Sequence, residues 1–159
     1  MLLTIFSLLI CQESHPVYII AHKLICLHSG HSMDFFDGGD DDDILSGDCV
    51  YIDFDEDGKL MWLTSINTDV GQDDILSGGL GNDVLIGSFG NDTLYGEEDM
   101  DILVGDSATL TVHSPNSSTF YDSNATERLW GSPSKIVSNA CEHGGDDRIF
   151  AGPGPVNYM

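Results

Sequence analysis

An all-β chain, wound as a flattened solenoid of short strands, is what this sequence predicts. Three observations lead there. An Asp recurs every nine residues from 74 to 101, a Leu follows each one two places later, and Gly, Asn and Asp fill most of the positions between. Neither a 3.6-residue helix nor a long strand produces that period.

Charge limits the partners. Acidic residues outnumber basic ones by 27 to 5, for a net charge of −22, which excludes nucleic acid and an anionic membrane surface, both of which attract basic patches. Between Asp34 and Asp106 lie 21 of the 27 carboxylates and one base, Lys59. A disordered acidic tail would carry such a block, but 41% hydrophobic residues and regularly spaced acids argue instead for neutralisation by cations.

Residues 1–33 differ from the rest and read as a leader or signal-like segment. "MLLTIFSLLI" resembles the apolar stretch of a secretory signal and is too short to span a bilayer, so no integral membrane span is expected. No base precedes it and no small-x-small cleavage site follows; the alternative is that residues 1–32 precede a start at Met33. His22, Cys26, His28 and His31 are zinc-type donors, but their spacing matches no zinc motif.

The repeat region spans 34–106. From Asp69 it reads DVGQDDILS, GGLGNDVLI, GSFGNDTLY and GEEDMDILV, four blocks of nine. In each, six residues rich in Gly, Asn and Asp make a turn, because Gly and Asn tolerate positive φ. The last three make a short strand whose middle side chain, Leu76, Leu85, Leu94 or Leu103, points inward. If two blocks complete a coil, Leu76 lies over Leu94 and Leu85 over Leu103, while Asp74 stacks near Asp92 and Asp83 near Asp101. Stacked carboxylates repel unless something positive separates them, and these 36 residues hold no Lys or Arg. A hard divalent cation suits the gap, since Ca2+ takes six to eight oxygens from carboxylates and carbonyls.

These blocks resemble the G-G-x-G-x-D-x-U-x nonapeptide of the repeats-in-toxin, or hemolysin-type calcium-binding, proteins. "GGLGNDVLI" matches throughout and "GSFGNDTLY" all but the second Gly, while the outer blocks carry Gln72 and Asp99 at the fourth place. Weaker copies are "GGDDDDILSG" and "HGGDDRIFAG". The resemblance implies a parallel β-roll with Ca2+ between stacked turns. It further implies that Asp74, Asp83, Asp92 and Asp101 supply carboxylates, and that Gly78, Gly81, Gly87, Gly90 and Gly96 permit the turns and offer carbonyls. Strain is expected at Gln72 and Asp99. Asp43 and Asp147 read as isolated acids lacking a second turn.

Two inserts interrupt the repeats. "DFDEDGKLMWLT" opens like an EF-hand loop, but Thr64 stands where that loop needs Glu, and its flanks are β-branched and aromatic; a β-hairpin over about 49–68 is expected. "LSGDCVYIDF" and "LVGDSATLTV" share Leu-x-Gly-Asp and an alternating run, so the pattern recurs in the insert at 107–141. That insert is Ser/Asn/Thr-rich, suggesting a flexible loop, and carries sequons at Asn116 and Asn124. Residues 142–159 form a partial terminal repeat. Cys49 and Cys141 are the one cysteine pair wholly outside the leader.

No enzyme is expected: His-Glu-x-x-His, G-x-S-x-G and a phosphate loop are all missing from the sequence. The expected function is Ca2+ binding by a secreted, extracellular module that folds on the ion and stabilises or aids export of a larger polypeptide. The alternative is a stand-alone surface or adhesion protein whose hairpins bind a partner, a reading that exposure of Tyr51, Trp62 and Trp130 would favour.

Overall fold

A computed structural model of the chain describes residues 18–20, 27–28, 32–54, 60–66, 69–112, 133–138 and 144–153. Every regular element among them is a β-strand. The chain alternates between two parallel sheets, crossing from one to the other at each Gly/Asp-rich turn. The first sheet orders β1 (Tyr18–Ile20), β3 (Phe35–Asp40), β7 (Ile75–Leu80), β9 (Thr93–Glu97) and β13 (Arg148–Phe150). The second orders β2 (Leu27–His28), β4 (Ile44–Ser46), β8 (Val84–Ser88) and β10 (Ile102–Asp106). Strands β1 and β2 come from within the stretch that reads as a leader, and pair parallel with β3 and β4.

Two blocks complete a coil. Leu76 pairs in register with Leu94 and Leu85 with Leu103. With Phe36 and Leu45 they form one core, each at most 1% exposed, between the two sheets. The eighth position of each block points inward because a three-residue strand sends its middle side chain opposite to its neighbours.

Stacked turns lie 18 residues apart where coils follow directly, 40 apart across the first insert and 55 apart across the second. Each insert leaves after a strand of the second sheet and returns before the next strand of the first. The first insert forms β5 (Val50–Phe54) and β6 (Leu60–Ser65), the antiparallel hairpin expected from its sequence. The second contributes β11 (Ala108–Val112) and β12 (Pro133–Ser138), also antiparallel. Its intervening residues, with both sequons, Trp130 and Cys141, lie outside the described residues, as do residues 55–59 of the acidic turn and, in the His/Cys group, all but the backbone of His28. Cys49 is buried.

The two hairpins join through β11 and β6 into one antiparallel sheet, ordered β12-β11-β6-β5. This third sheet lies over the outer face of the second. Ile44, Val84, Ile86 and Ile102 from the roll pack with Val50, Leu60, Leu63 and Leu110 from the inserts in a second core. The first sheet keeps its outer face in solvent, where Tyr95 and Phe150 stack with ring centroids 4.9 Å apart.

Backbone conformation separates the turn types. In turns without an insert the second position has positive φ at Gly39, Gly79, Ser88 and Glu97, and the fourth at Asp41, Gly81, Gly90 and Asp99. The insert-bearing turns have Asp48 and Asp106 at the second place and Gln72 and Gly145 at the fourth, none of them left-handed. Asp99 therefore carries the strain expected of it, whereas Gln72 does not: an insert replaces the tight turn and the chain re-enters in ordinary conformation.

Candidate metal centre

The sixth-position acids of the turns form two ladders along the roll. On one side, the backbone N–H of Asp34 donates to Asp74 Oδ1, that of Asp74 to Asp92 Oδ1 and that of Asp92 to Asp147 Oδ1, at 2.8, 2.8 and 2.9 Å. On the other, Asp43 N–H donates to Asp83 Oδ1 and Asp83 N–H to Asp101 Oδ1, at 2.8 and 3.0 Å. The pairs Asp74–Asp92 and Asp83–Asp101 are those the two-block coil requires. Asp43 and Asp147 are a correction: each stacks on a second turn, which the inserts had moved 40 and 55 residues away in sequence.

One oxygen of Asp74, Asp83, Asp92, Asp101 and Asp147 is thus spent on the neighbouring turn. The other, Oδ2 of Asp74, Asp83 and Asp92, is buried without a hydrogen-bond partner. Each of these oxygens lies beside a first-position glycine of its own turn and a first-position carbonyl of the next. A side chain at Gly47 would collide with Asp74 Oδ2 and the Gly87 carbonyl, at Gly78 with Asp83 Oδ2 and the Gly96 carbonyl, and at Gly87 with Asp92 and the Gly105 carbonyl. Gly38 repeats the arrangement with Asp43 Oδ2 and the Gly78 carbonyl. Of the candidate glycines, Gly78, Gly87 and Gly96 present carbonyls toward these carboxylates. Gly81 and Gly90 serve differently: at φ of 133° and 140° they let the backbone approach Asp41 and Gln72 of the adjacent turn.

Burial pushes Asp74 up to about 9, Asp83 to about 8, Asp92 to about 7 and Asp101 to about 6, all from an ordinary 3.8. Backbone N–H donors oppose the shift, and neighbouring carboxylates add to it. Orphaned buried oxygens amid like charges are the environment a cation would relieve. Among the described residues no three His, Cys, Asp or Glu side chains converge as a cluster. A cation between turns must therefore draw much of its shell from carbonyls. That is the donor set of a hard ion such as Ca2+, and not of zinc.

Sequence reasoning passed over Asp34, which caps the first ladder, and an outer ladder at the fifth positions. There Asn82 donates to Asp42 Oδ1 through its backbone N–H and its Nδ2, Asn91 does the same to Asp73, and Asp146 N–H donates to Asn91 Oδ1. The recurrence of Asn or Asp immediately before Asp43, Asp74, Asp83, Asp92 and Asp147 was the available signal. Asp48 and Asp106 were seen only as parts of a shared Leu-x-Gly-Asp.

No curated protein and no solved structure matches the chain. Residues 70–107 match the family model of the RTX calcium-binding nonapeptide repeat, in four copies. That segment includes β7 to β10 and the turns carrying Asp74, Asp83, Asp92 and Asp101. Residues 70–107 are therefore an array of RTX calcium-binding nonapeptide repeats, whose metal is Ca2+.

Proposed function

We propose that the chain is a calcium-binding structural module of an extracellular protein, in which Ca2+ between stacked turns locks the roll. Asp74, Asp83, Asp92 and Asp101 supply carboxylates, Gly78, Gly87 and Gly96 supply carbonyls, and Gly81 and Gly90 allow the turns to approach. Asp43 and Asp147 extend the same two ladders past the inserts. The observation that carries the reading is the buried, unpartnered Oδ2 of Asp74, Asp83 and Asp92, each beside a carbonyl of the next turn. Ion binding is then part of the folding free energy. Folding would follow passage from a calcium-poor to a calcium-rich compartment, which suits a role in export or in stabilising a larger polypeptide and calls for no catalytic step.

A far-UV circular dichroism titration tests this. CaCl2 should drive coil to β-structure and MgCl2 should not, because Mg2+ demands a tighter octahedral shell and gives up water reluctantly. Full β signal in excess chelator at neutral pH would overturn the ion-locked roll.

A second reading, partner binding through the inserts, is favoured by one observation. Tyr51, 55% exposed, lies with Trp62 on the third sheet's outer face, ring centroids 5.3 Å apart. Loss of surface adhesion on Tyr51→Ala with calcium binding intact would support it.

A further inference from the structure

We infer that Asp48, at the exit of the first insert, is an additional calcium-binding residue, and that the ion it holds ties the insert to the roll. Asp106 stands in the same place at the second insert. This rests on the calcium reading above and carries it to residues outside the nonapeptide pattern.

In the frame of the repeat, Asp48 and Asp106 occupy the second position, in register with Ser88 of the turn that has no insert. Turns without an insert place residues of positive φ there; Asp48 and Asp106 have no such conformation to satisfy. Turn geometry therefore does not account for the acid. Asp48 is only 3% exposed. Its Oδ2 accepts the Phe89 backbone N–H at 3.1 Å, and its Oδ1 is buried with no hydrogen-bond partner. The bonded Oδ2 also lies against Gly71, at the third repeat position where the chain re-enters the roll, and an added side chain there would collide with both Asp48 and the Phe89 carbonyl.

Three segments thus meet at one carboxylate: the exit of the insert, its return, and the turn of the next coil. Among the described residues, the charged groups acting on Asp48 are the carboxylates of Asp92 and Asp34, and Asp48 in turn acts on Asp74. Capping a single N–H requires no charge, and a serine could do it. A buried carboxylate with an oxygen to spare, a carbonyl beside it and negative neighbours among the described residues is suited to a hard cation. At the second insert Asp106 holds the corresponding place: its Oδ1 is buried without a partner and lies against Gly144, at the return of that insert, with Asp92 and Asp147 as negative neighbours.

The consequence is coupling between ion and insert. Just beyond these acids, Ser65 Oγ and Ser88 Oγ share a hydrogen bond of 3.2 Å, and Ala108 N–H donates to Ser65 Oγ at 3.1 Å. Both inserts and the turn between them are joined at this one end, so an ion held by Asp48 would order the third sheet together with the roll.

The test uses the full chain and CaCl2 alone. Calorimetric titration of the parent, Asp48→Asn and Asp83→Asn is paired with hydrogen exchange of residues 50–54 and 60–65. Asp48→Asn keeps the shape and the acceptor for Phe89. It should lose one bound ion or weaken one site about tenfold, since ligand charge tunes calcium affinity, and should lose calcium-dependent protection of the hairpin. Asp83→Asn, on the opposite ladder, should weaken binding while that protection survives. Unchanged stoichiometry, affinity and protection in Asp48→Asn, with Asp83→Asn impaired, would overturn this inference alone. A parent that binds no Ca2+ would overturn the calcium reading and this inference with it. Asp48→Ser, the residue of the insert-free turn, serves as the second variant should Asp48→Asn fail to fold.

Discussion

At the scale of single residues, the roll divides its turn positions between conformation and charge. Asp99 and Gly90 hold the same fourth position, and both are left-handed, Asp99 at φ 69°. An L side chain there costs about 1 kcal/mol or more, though Asp tolerates it better than most. Asp99→Gly should therefore stabilise the chain by about 1 kcal/mol, offset in part by the greater freedom glycine gives the unfolded state. Urea denaturation in saturating Ca2+ measures it; a destabilised variant would mean that the Asp99 carboxylate has a role beyond the turn. The sixth-position acids are the opposite case, held for charge at the expense of burial. That an Asp recurs every nine residues was plain in the sequence. That each would spend one oxygen on the backbone N–H of a turn 18, 40 or 55 residues away was not, because the partner is set by stacking and not by neighbourhood along the chain.

Among the elements, the inserts decide most. Their hairpins alternate apolar and polar residues as strands do, and the sequence showed that much. It also contained a clue to their destination. Two strand triplets of the second sheet are apolar at all three places, Val84-Leu85-Ile86 and Ile102-Leu103-Val104, and Ile44-Leu45-Ser46 ends in a polar residue, while the first sheet has Thr93-Leu94-Tyr95 and Arg148-Ile149-Phe150. Apolar flanks on the strands of one sheet call for a covering layer, and the joined hairpins are that layer. Leu63 is fully buried in the core they make with the second sheet. Leu63→Ala should cost about 3 kcal/mol, the usual range for a large-to-small change at a buried site, and should leave the number of bound Ca2+ ions unaltered. A loss below about 1 kcal/mol by urea titration would mean that the third sheet does not pack tightly on the roll.

For the whole molecule, the balance of charge makes stability depend on pH in a direction that the ion reverses. Burial raises Asp48 and Asp83 to about 8, Asp74 to about 9, Asp92 to about 7 and Asp101 to about 6. Without calcium, the folded chain therefore keeps protons that the unfolded chain releases near 3.8. Stability from these groups is complete below about pH 4 and is lost as pH rises through 6 to 9, because the folded state holds the protons more tightly. In chelator the far-UV β signal should be greatest near pH 5 and fall as pH rises to 9. In saturating Ca2+ the slope should change sign, since the ion needs the carboxylates deprotonated. Parallel profiles with and without Ca2+ would show that these acids do not bind the ion.

By itself the sequence determined the nine-residue period, the inward Leu of each block, the acid at each sixth place and the preference for a hard cation. All of these are local, written within two or three consecutive blocks, where period, turn chemistry and charge can be read directly. Tertiary structure alone decided that Asp43 and Asp147 complete the ladders, that the two inserts merge into a single sheet over one face of the roll, and that Asp48 sits between an insert and the turn of the next coil. Those outcomes depend on which segments stack, and stacking is selected by the joint burial of apolar faces on segments as much as 55 residues apart.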